Sequence, residues 1–263
     1  MEDKKVACII PAAGWGSLCT CRSKVVEDTA GEAMISRVVA TVKKSQVADT
    51  IVVVVGGEKN PYGAQIMEAL KTAGHTDVKF AVQPQRRGAA DAVWHGLSQI
   101  NGHQHLIVPF ADMPAWRWQT LRRLAETHLA SEAAAITMVT VNPPPGDPIA
   151  DYGRIARDGS GALMAIYEPY ELDGKQLDGV MTVNPSLFVV NRQWFESNYA
   201  NIEPKAKDNF GKEMHLSGLV PIAYRQGAKV IEVHVQDHNE ARGVNRPDEL
   251  ERVQQILAQR GED

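Results

Sequence analysis

Four short stretches of this chain combine the residue types that hold phosphates and a cation. The first runs from Ile9 to Lys24, IIPAAGWGSLCTCRSK. An apolar run there opens into small residues and closes on basic ones. Ala12, Ala13, Gly14 and Gly16 carry little or no side chain, so backbone N–H groups can approach a ligand closely, and Lys24 supplies positive charge. The second is Gln83 to Asp91, QPQRRGAAD. Gln83 offers an amide able to read a base edge, Arg86 and Arg87 suit a small anion, and Gly88 and Ala89 open a helix whose first amides favour one. The third sets Asp112 directly after an apolar run, a position suited to Mg²⁺. The fourth, Gly243-Val-Asn-Arg-Pro247, adds the amide oxygen of Asn245. Each has a plainer reading: a glycine-bearing βα turn, a solvated polar loop, a helix cap at Asp112, and a turn with an N-cap nearby for the Asn245 stretch. Two familiar alternatives fail. A dinucleotide fingerprint needs glycine where Cys19 stands, and no G-K-[ST] follows for a Walker loop.

The elements that must position these residues follow from hydrophobic rhythm. Apolar runs at Val6–Ile10, Ile51–Val55, Val78–Val82 and His105–Pro109 alternate with helical patterns near Glu32–Lys44, Tyr62–Ala73 and Ala89–Ile100. This βαβ order predicts an α/β fold: a Rossmann-like, mainly parallel open sheet with helices on both faces. In such sheets ligands gather beyond the carboxyl ends of the strands, where all four stretches are expected to lie. A helix at Trp116–Leu129 and a strand at Ala135–Val141 precede the proline-rich Asn142–Pro148, the strongest punctuation in the chain. Shorter strands are expected at Gly153–Arg157, Ala162–Tyr167 and Thr182–Val190, the first two as a hairpin over the sheet edge. Helices near Arg192–Asn201 and Leu216–Gln226, a strand at Lys229–Val235 and a closing helix at Pro247–Gln259 complete the reading. Residues 1–141, 142–235 and 236–263 are read as three parts of one domain, the second a β-rich excursion from the sheet.

Composition bounds the partners. The 263 residues are 44% hydrophobic, enough for a real core. A net charge of −4 gives no basic field for long nucleic acids or anionic membranes. The MEDKK start leads straight into a strand, and no apolar run approaches bilayer length, so a cytoplasmic location is expected. The three cysteines, Cys8, Cys19 and Cys21, are read as free thiols, because no second ligand pair accompanies the C-x-C.

Taken in order, these features carry a resemblance. A-A-G-x-G with a following lysine, Q-x-x-x-x-G before a helix, Asp112-x-Pro after a strand, Tyr152-Gly-Arg-Ile155, Glu168, Asn184 in Val-Asn-Pro, and Gly-Val-Asn245 resemble the sugar-phosphate nucleotidyltransferase superfamily. Within it they are most similar to the uridyltransferase domain of bacterial N-acetylglucosamine-1-phosphate uridyltransferases, over nearly the whole chain. The resemblance implies that Ala12, Ala13, Gly14, Gln83, Gly88 and Ala89 bind the nucleotide. It further implies that Gly153, Glu168 and Asn184 hold the sugar, that Asp112 and Asn245 ligate Mg²⁺, and that Lys24 binds phosphate. The implied reaction is attack of a sugar 1-phosphate oxygen on the α-phosphorus of a nucleoside triphosphate, releasing pyrophosphate. Its partners would be these small molecules, with the chain a monomer or small homo-oligomer.

The chain also departs from that pattern. Leu18 stands where the family has an arginine, and removing such a cation typically costs roughly a hundredfold in rate. Arg22, about one helical turn later, is the candidate replacement and is grouped with Lys24 and Asp112 as catalytic. Ala89 replaces a usual threonine, and Ala111 a usual glycine. The sequence ends where bifunctional members begin a left-handed β-helix, so acetyltransferase activity and the trimer it builds are not expected. Two other readings stay open: a sugar-nucleotide-binding regulatory homologue, and a transferase using another nucleotide, such as CTP, or another acceptor.

Overall fold

A computed structural model describes residues 5–14, 16, 18, 22–172, 181–206 and 212–261. Cys19 and Cys21 lie outside these residues, and Cys8 is a buried free thiol whose pKa burial pushes up.

The first half alternates as its periodicity requires. Strands β1 (Val6–Pro11), β2 (Thr50–Gly56), β3 (Lys79–Gln83) and β4 (His105–Val108) are separated by helices α1 (Met34–Ser45), α2 (Gly63–Thr72) and α3 (Ala89–Gly96). These four strands lie in the order β3-β2-β1-β4, all parallel. Helix α4 (Trp118–Leu129) leads to β5 (Ala134–Val141), which pairs in parallel with the late strand β12 (Lys229–Val235). Between them the chain turns antiparallel. Strand β9 (Phe188–Asn191) joins β4 to β5, and β8 (Val183–Asn184) links β5 to the edge hairpin of β6 (Gly153–Arg157) and β7 (Leu163–Tyr167). One sheet therefore carries both the parallel half and the β-rich excursion.

Alternation along β1 shows why the fold has three layers. Cys8 and Ile10 join Ile35, Val38, Ile66, Leu70 and Leu121 from α1, α2 and α4 on one face. Ala7 and Ile9 join residues of α3 and of α5 (Arg192–Asn198) and α6 (Leu219–Gln226) on the other. A strand buried on both sides must be apolar throughout. The last helix, α7 (Pro247–Arg260), starts with proline, Asp248 and Glu249, the pre-set φ and negative charges that a helix N-terminus favours.

Several segments differ from expectation, among them the helices expected at Arg192–Asn201 and Leu216–Gln226, where Tyr199–Asn201 and Leu216–Gly218 are 3₁₀ turns. Thr182–Val190 is not one strand but two. Pro185 removes a ladder donor, Ser186 adopts a left-handed φ of 60°, and Ser186 N donates to Asn184 Oδ1 at 3.1 Å, breaking the run. The α3 helix ends at Gly96 rather than Ile100, and Leu97–Gln99 continues as a 3₁₀ turn. Last, a short antiparallel pair, β10 (Lys205–Ala206) with β11 (Lys212–Glu213), arises where no strand was expected.

Candidate active site

The carboxyl ends of β1, β3 and β4 open on a cleft of about 540 Å³. Its floor is the opening loop. Ala12 N donates to Val54 O at 2.8 Å, and Asn60 Nδ2 donates to Ala13 O at 3.0 Å, so the backbone of Ala12, Ala13 and Gly14 is held against the cleft. Gly16 lets the loop close on Lys24. Lys24 N donates to Gly16 O at 3.0 Å, and a Cβ on Gly16 would lie 2.9 Å from the lysine stem.

Lys24 reaches across the cleft. Its Nζ donates to Asp112 Oδ2 at 2.7 Å and to Asn245 Oδ1 at 2.6 Å. Residues separated by 88 and 221 positions thus meet at one ammonium. The Asn245 loop is pinned from three sides: Gly243 N donates to the Tyr152 hydroxyl at 2.7 Å, Val244 N to Asp112 O at 2.9 Å, and Asn245 N to Glu249 Oε2 at 2.6 Å. Burial pushes the Tyr152 hydroxyl up to about 12, so it stays protonated at neutral pH.

Two hard oxygens converging on one cation are the donor chemistry that Mg²⁺ selects. Among the described residues no group of three His, Cys, Asp or Glu side chains gathers to hold a metal. An ion here would complete its shell from water and phosphate.

The far wall comes from β3, α3 and a distant strand. Gln83, Gly88 and Ala89 line it together with Arg86, Glu213 and His215. Gly88 has a φ of 94°, and a Cβ there would lie 2.5 Å from Met214 O. That close approach lets Ala90 N donate to Met214 O at 3.0 Å and Met214 N donate to Arg87 O at 2.7 Å. The β11 segment is thereby zipped onto the helix entrance, carrying Glu213 to 2.7 Å from Arg86.

Nine expected residues therefore share this cleft: Ala12, Ala13, Gly14 and Lys24 from the loop, Gln83, Gly88 and Ala89 from the far wall, and Asp112 and Asn245 opposite. Gly153, Glu168 and Asn184 do not line it, but they adjoin one another. Gly153 pairs with Asn184 across β6 and β8, and a Cβ on Gly153 would lie 3.6 Å from Glu168 Oε1. Asn184 spends its amide on structure, donating to Val139 O at 3.0 Å. Glu168 Oε1 accepts from Ser217 Oγ at 3.1 Å.

Arg22 also stands outside the cleft lining. Its side chain is 56% exposed, with the guanidinium 3.9 Å from Glu27. Leu18 packs against Met34, Val244 and Val253, so the leucine ties the loop to α7. The cation that joins Lys24 in the cleft is Arg86. Glu213 and His215 carry no motif, and only the long-range docking of β11 brings them here.

The model of the MobA-like NTP transferase domain matches residues 8–194, a span running from β1 into α5. The chain belongs to this family. That membership makes it a nucleotidyltransferase relative in which the opening loop, the Gln83 loop and Asp112 all fall within the matched span. Among curated proteins, the bifunctional protein GlmU of Caldicellulosiruptor saccharolyticus is 31% identical over 260 residues, 97% of this chain and 52% of that protein. GlmU of Streptomyces avermitilis is 29% identical, over 98% of this chain and 51% of its own length. The chain spans about half the length of these relatives. Solved structures share the fold: CMP:2-keto-3-deoxy-manno-octonic acid synthetase complexed with CTP has a TM-score of 0.71 at 14% identity, covering 98% of this chain and 100% of its own. The 4-diphosphocytidyl-2C-methyl-D-erythritol synthase of Anaerococcus prevotii has a TM-score of 0.65 at 11% identity, covering 97% and 99%. No helix among the described residues of this MobA-like chain is long and apolar enough to cross a membrane.

Proposed function

We propose that this chain forms a nucleoside diphosphate sugar, with uridine as the base, from UTP and an N-acetylhexosamine or hexose 1-phosphate, releasing pyrophosphate. The observation that carries this reading is the convergence of Lys24 Nζ, Asp112 and Asn245 in a cleft walled by small residues and backbone amides. Such a cleft offers little for covalent catalysis and much for aligning and neutralising phosphates. Likeness to GlmU supports the uridine and sugar assignments.

On this reading Ala12, Ala13 and Gly14 bring backbone to the nucleotide, while Gln83, Gly88 and Ala89 receive the base. Lys24 holds the phosphates as charge builds on the leaving pyrophosphate. Asp112 and Asn245 would hold Mg²⁺, which when bound polarises the phosphoryl oxygens and neutralises their charge. Gly153, Glu168 and Asn184 would border the sugar at the hairpin edge, so the nucleotide part is 1–141, the sugar part 142–235, and residues 236–263 bring the Asn245 loop and last helix. Leu18 cannot pair with phosphate, so the second cation of the cleft is Arg86, which lines it, or Arg22 if the loop folds inward.

The test is pyrophosphate release with each common nucleoside triphosphate, Mg²⁺ and a panel of sugar 1-phosphates. Release is expected with UTP and an N-acetylhexosamine or hexose phosphate. Release with no pair, alongside a thermal shift on adding a UDP-sugar, assigns the chain to a regulatory role instead.

A further inference from the structure

Asp91 is 2% exposed and does not line the cleft, yet it touches Gln83, the residue proposed to receive the base. Gln83 Nε2 donates to Asp91 Oδ2 at 2.7 Å and to Gly88 O at 3.0 Å. Both partners are acceptors, so the nitrogen of the amide must be the atom between them. The other carboxylate oxygen, Asp91 Oδ1, accepts from the Tyr199 hydroxyl at 2.6 Å, and His95 Nε2 lies 3.6 Å from Oδ2. Tyr199 is itself held by stacking on Trp94, with ring centroids 4.4 Å apart. Its hydroxyl, pushed up to about 12 by burial and by Asp91, remains a donor at neutral pH.

Gln83 lines the cleft, and with Nε2 engaged on the side of Asp91 the amide atom left for a ligand is the acceptor Oε1. We propose that Asp91 is a positioning residue that fixes the Gln83 amide with its oxygen toward the base, making the cleft select a base with a ring N–H there. Uracil presents N3–H between two carbonyl oxygens. Cytosine presents a bare N3 lone pair at the same place, which the locked oxygen repels. The Ala89 amide, at the start of α3 and in the cleft lining, supplies a donor suited to a neighbouring uracil carbonyl. This inference rests on the nucleotide reading of the cleft and adds a reason for the base.

The test is equilibrium binding of UTP and of CTP with Mg²⁺, by calorimetry, in wild type and variants. Wild type is expected to bind UTP more tightly than CTP. Asp91→Leu, which removes the charged acceptor and leaves Gln83 Nε2 only the Gly88 carbonyl, is expected to shrink that preference roughly tenfold, the weight of one charge-assisted hydrogen bond. Asp91→Asn keeps an oxygen for Gln83 and should hold the preference within about threefold of wild type. On a Gln83→Leu background, Asp91→Leu should change the preference no further. Asp91→Ser, too short to reach Gln83, replaces the leucine variant if that protein does not fold. The inference is overturned if wild type binds CTP as well as UTP, if Asp91→Leu leaves the preference intact, or if UTP and CTP weaken in parallel, which marks a purely structural carboxylate. Failure of the functional proposal reads out separately, as no pyrophosphate release from any pair of substrates.

Discussion

The Lys24 ammonium and the Asp112 carboxylate lie 2.7 Å apart, and Asn245 Oδ1 approaches the same nitrogen at 2.6 Å. The amine therefore sits at the point on which the two proposed metal oxygens converge. A divalent ion held by those oxygens must displace it, and a displaced lysine in a phosphate cleft is free to pair with the triphosphate.

Lys24→Met separates the two roles of that amine. Turnover is expected to fall about a hundredfold, the usual cost of removing a preorganised cation from a phosphate-transfer site. Mn²⁺ binding without nucleotide, followed by electron paramagnetic resonance, should tighten, because no ammonium then competes for Asp112. Asp112→Asn should lower both. Mn²⁺ affinity unchanged in Lys24→Met removes the competition.

The arginine missing at Leu18 is the second test. Arg86 lines the cleft, whereas Arg22 is exposed beside Glu27. Arg86→Ala is therefore expected to slow turnover by roughly tenfold or more, and Arg22→Ala by less than about twofold. Thermal melting of Arg86→Ala must be recorded alongside, since it leaves the buried Glu213 carboxylate without that ion pair. The opposite order in steady-state kinetics assigns the loop's second cation to Arg22.

Gly88→Ala puts a methyl group 2.5 Å from the Met214 carbonyl at a φ of 94°. Backbone on both sides leaves nothing flexible to yield, so β11 must move off the entrance of α3. Melting should show a loss of about 1–3 kcal/mol, and KM for the nucleotide should rise more than KM for the sugar phosphate. Faster amide exchange at Met214 and Ala90 is the direct signature.

Acid stability should depend on Asp147. Burial works against its ionised form, but the Ile149 amide, the Arg242 guanidinium at 2.6 Å and nearby His238 outweigh it and hold the carboxyl below its usual range. A pKa lowered on folding contributes stability above the unfolded value, near 4, and that stability is lost as pH falls through the folded value. Asp147→Asn should thus melt earlier than wild type at pH 7, and the difference should shrink as pH falls through and below 4. A gap that stays constant from pH 7 to acid would show that charge is not its source.

The three-layer fold was legible because periodicity writes it locally: β1 is apolar at every position, as burial on both faces demands, and each helix shows its own stripe. That the loops after β1, β3 and β4 share one cleft was legible because strand ends in a parallel sheet must face one edge. Less visible was the break at Asn184. A single side-chain amide there replaces ladder bonds, and hydrophobicity alone cannot register it. Glu213 and His215 could not be found at all, since their place depends on Gly88 accepting the Met214 backbone, a meeting of two segments with no shared pattern. Leu18 was visible as a departure, but its reason was not. In the sequence it is an apolar residue at a position suited to a cation, whereas in the structure it is a hydrophobic tie to α7.

That tie, with the Asn245 loop beside it, bears on synthesis. Of the elements that build the cleft, β1 is synthesised first, and the residues that clamp it, from Gly243 through α7, are synthesised last. A nascent chain can assemble the sheet and the nucleotide wall well before Asn245 and the partners of Leu18 exist. The opening loop then waits without its anchor until α7 is made, so a chain stalled before Gly243 would present the pocket's walls without its clamp.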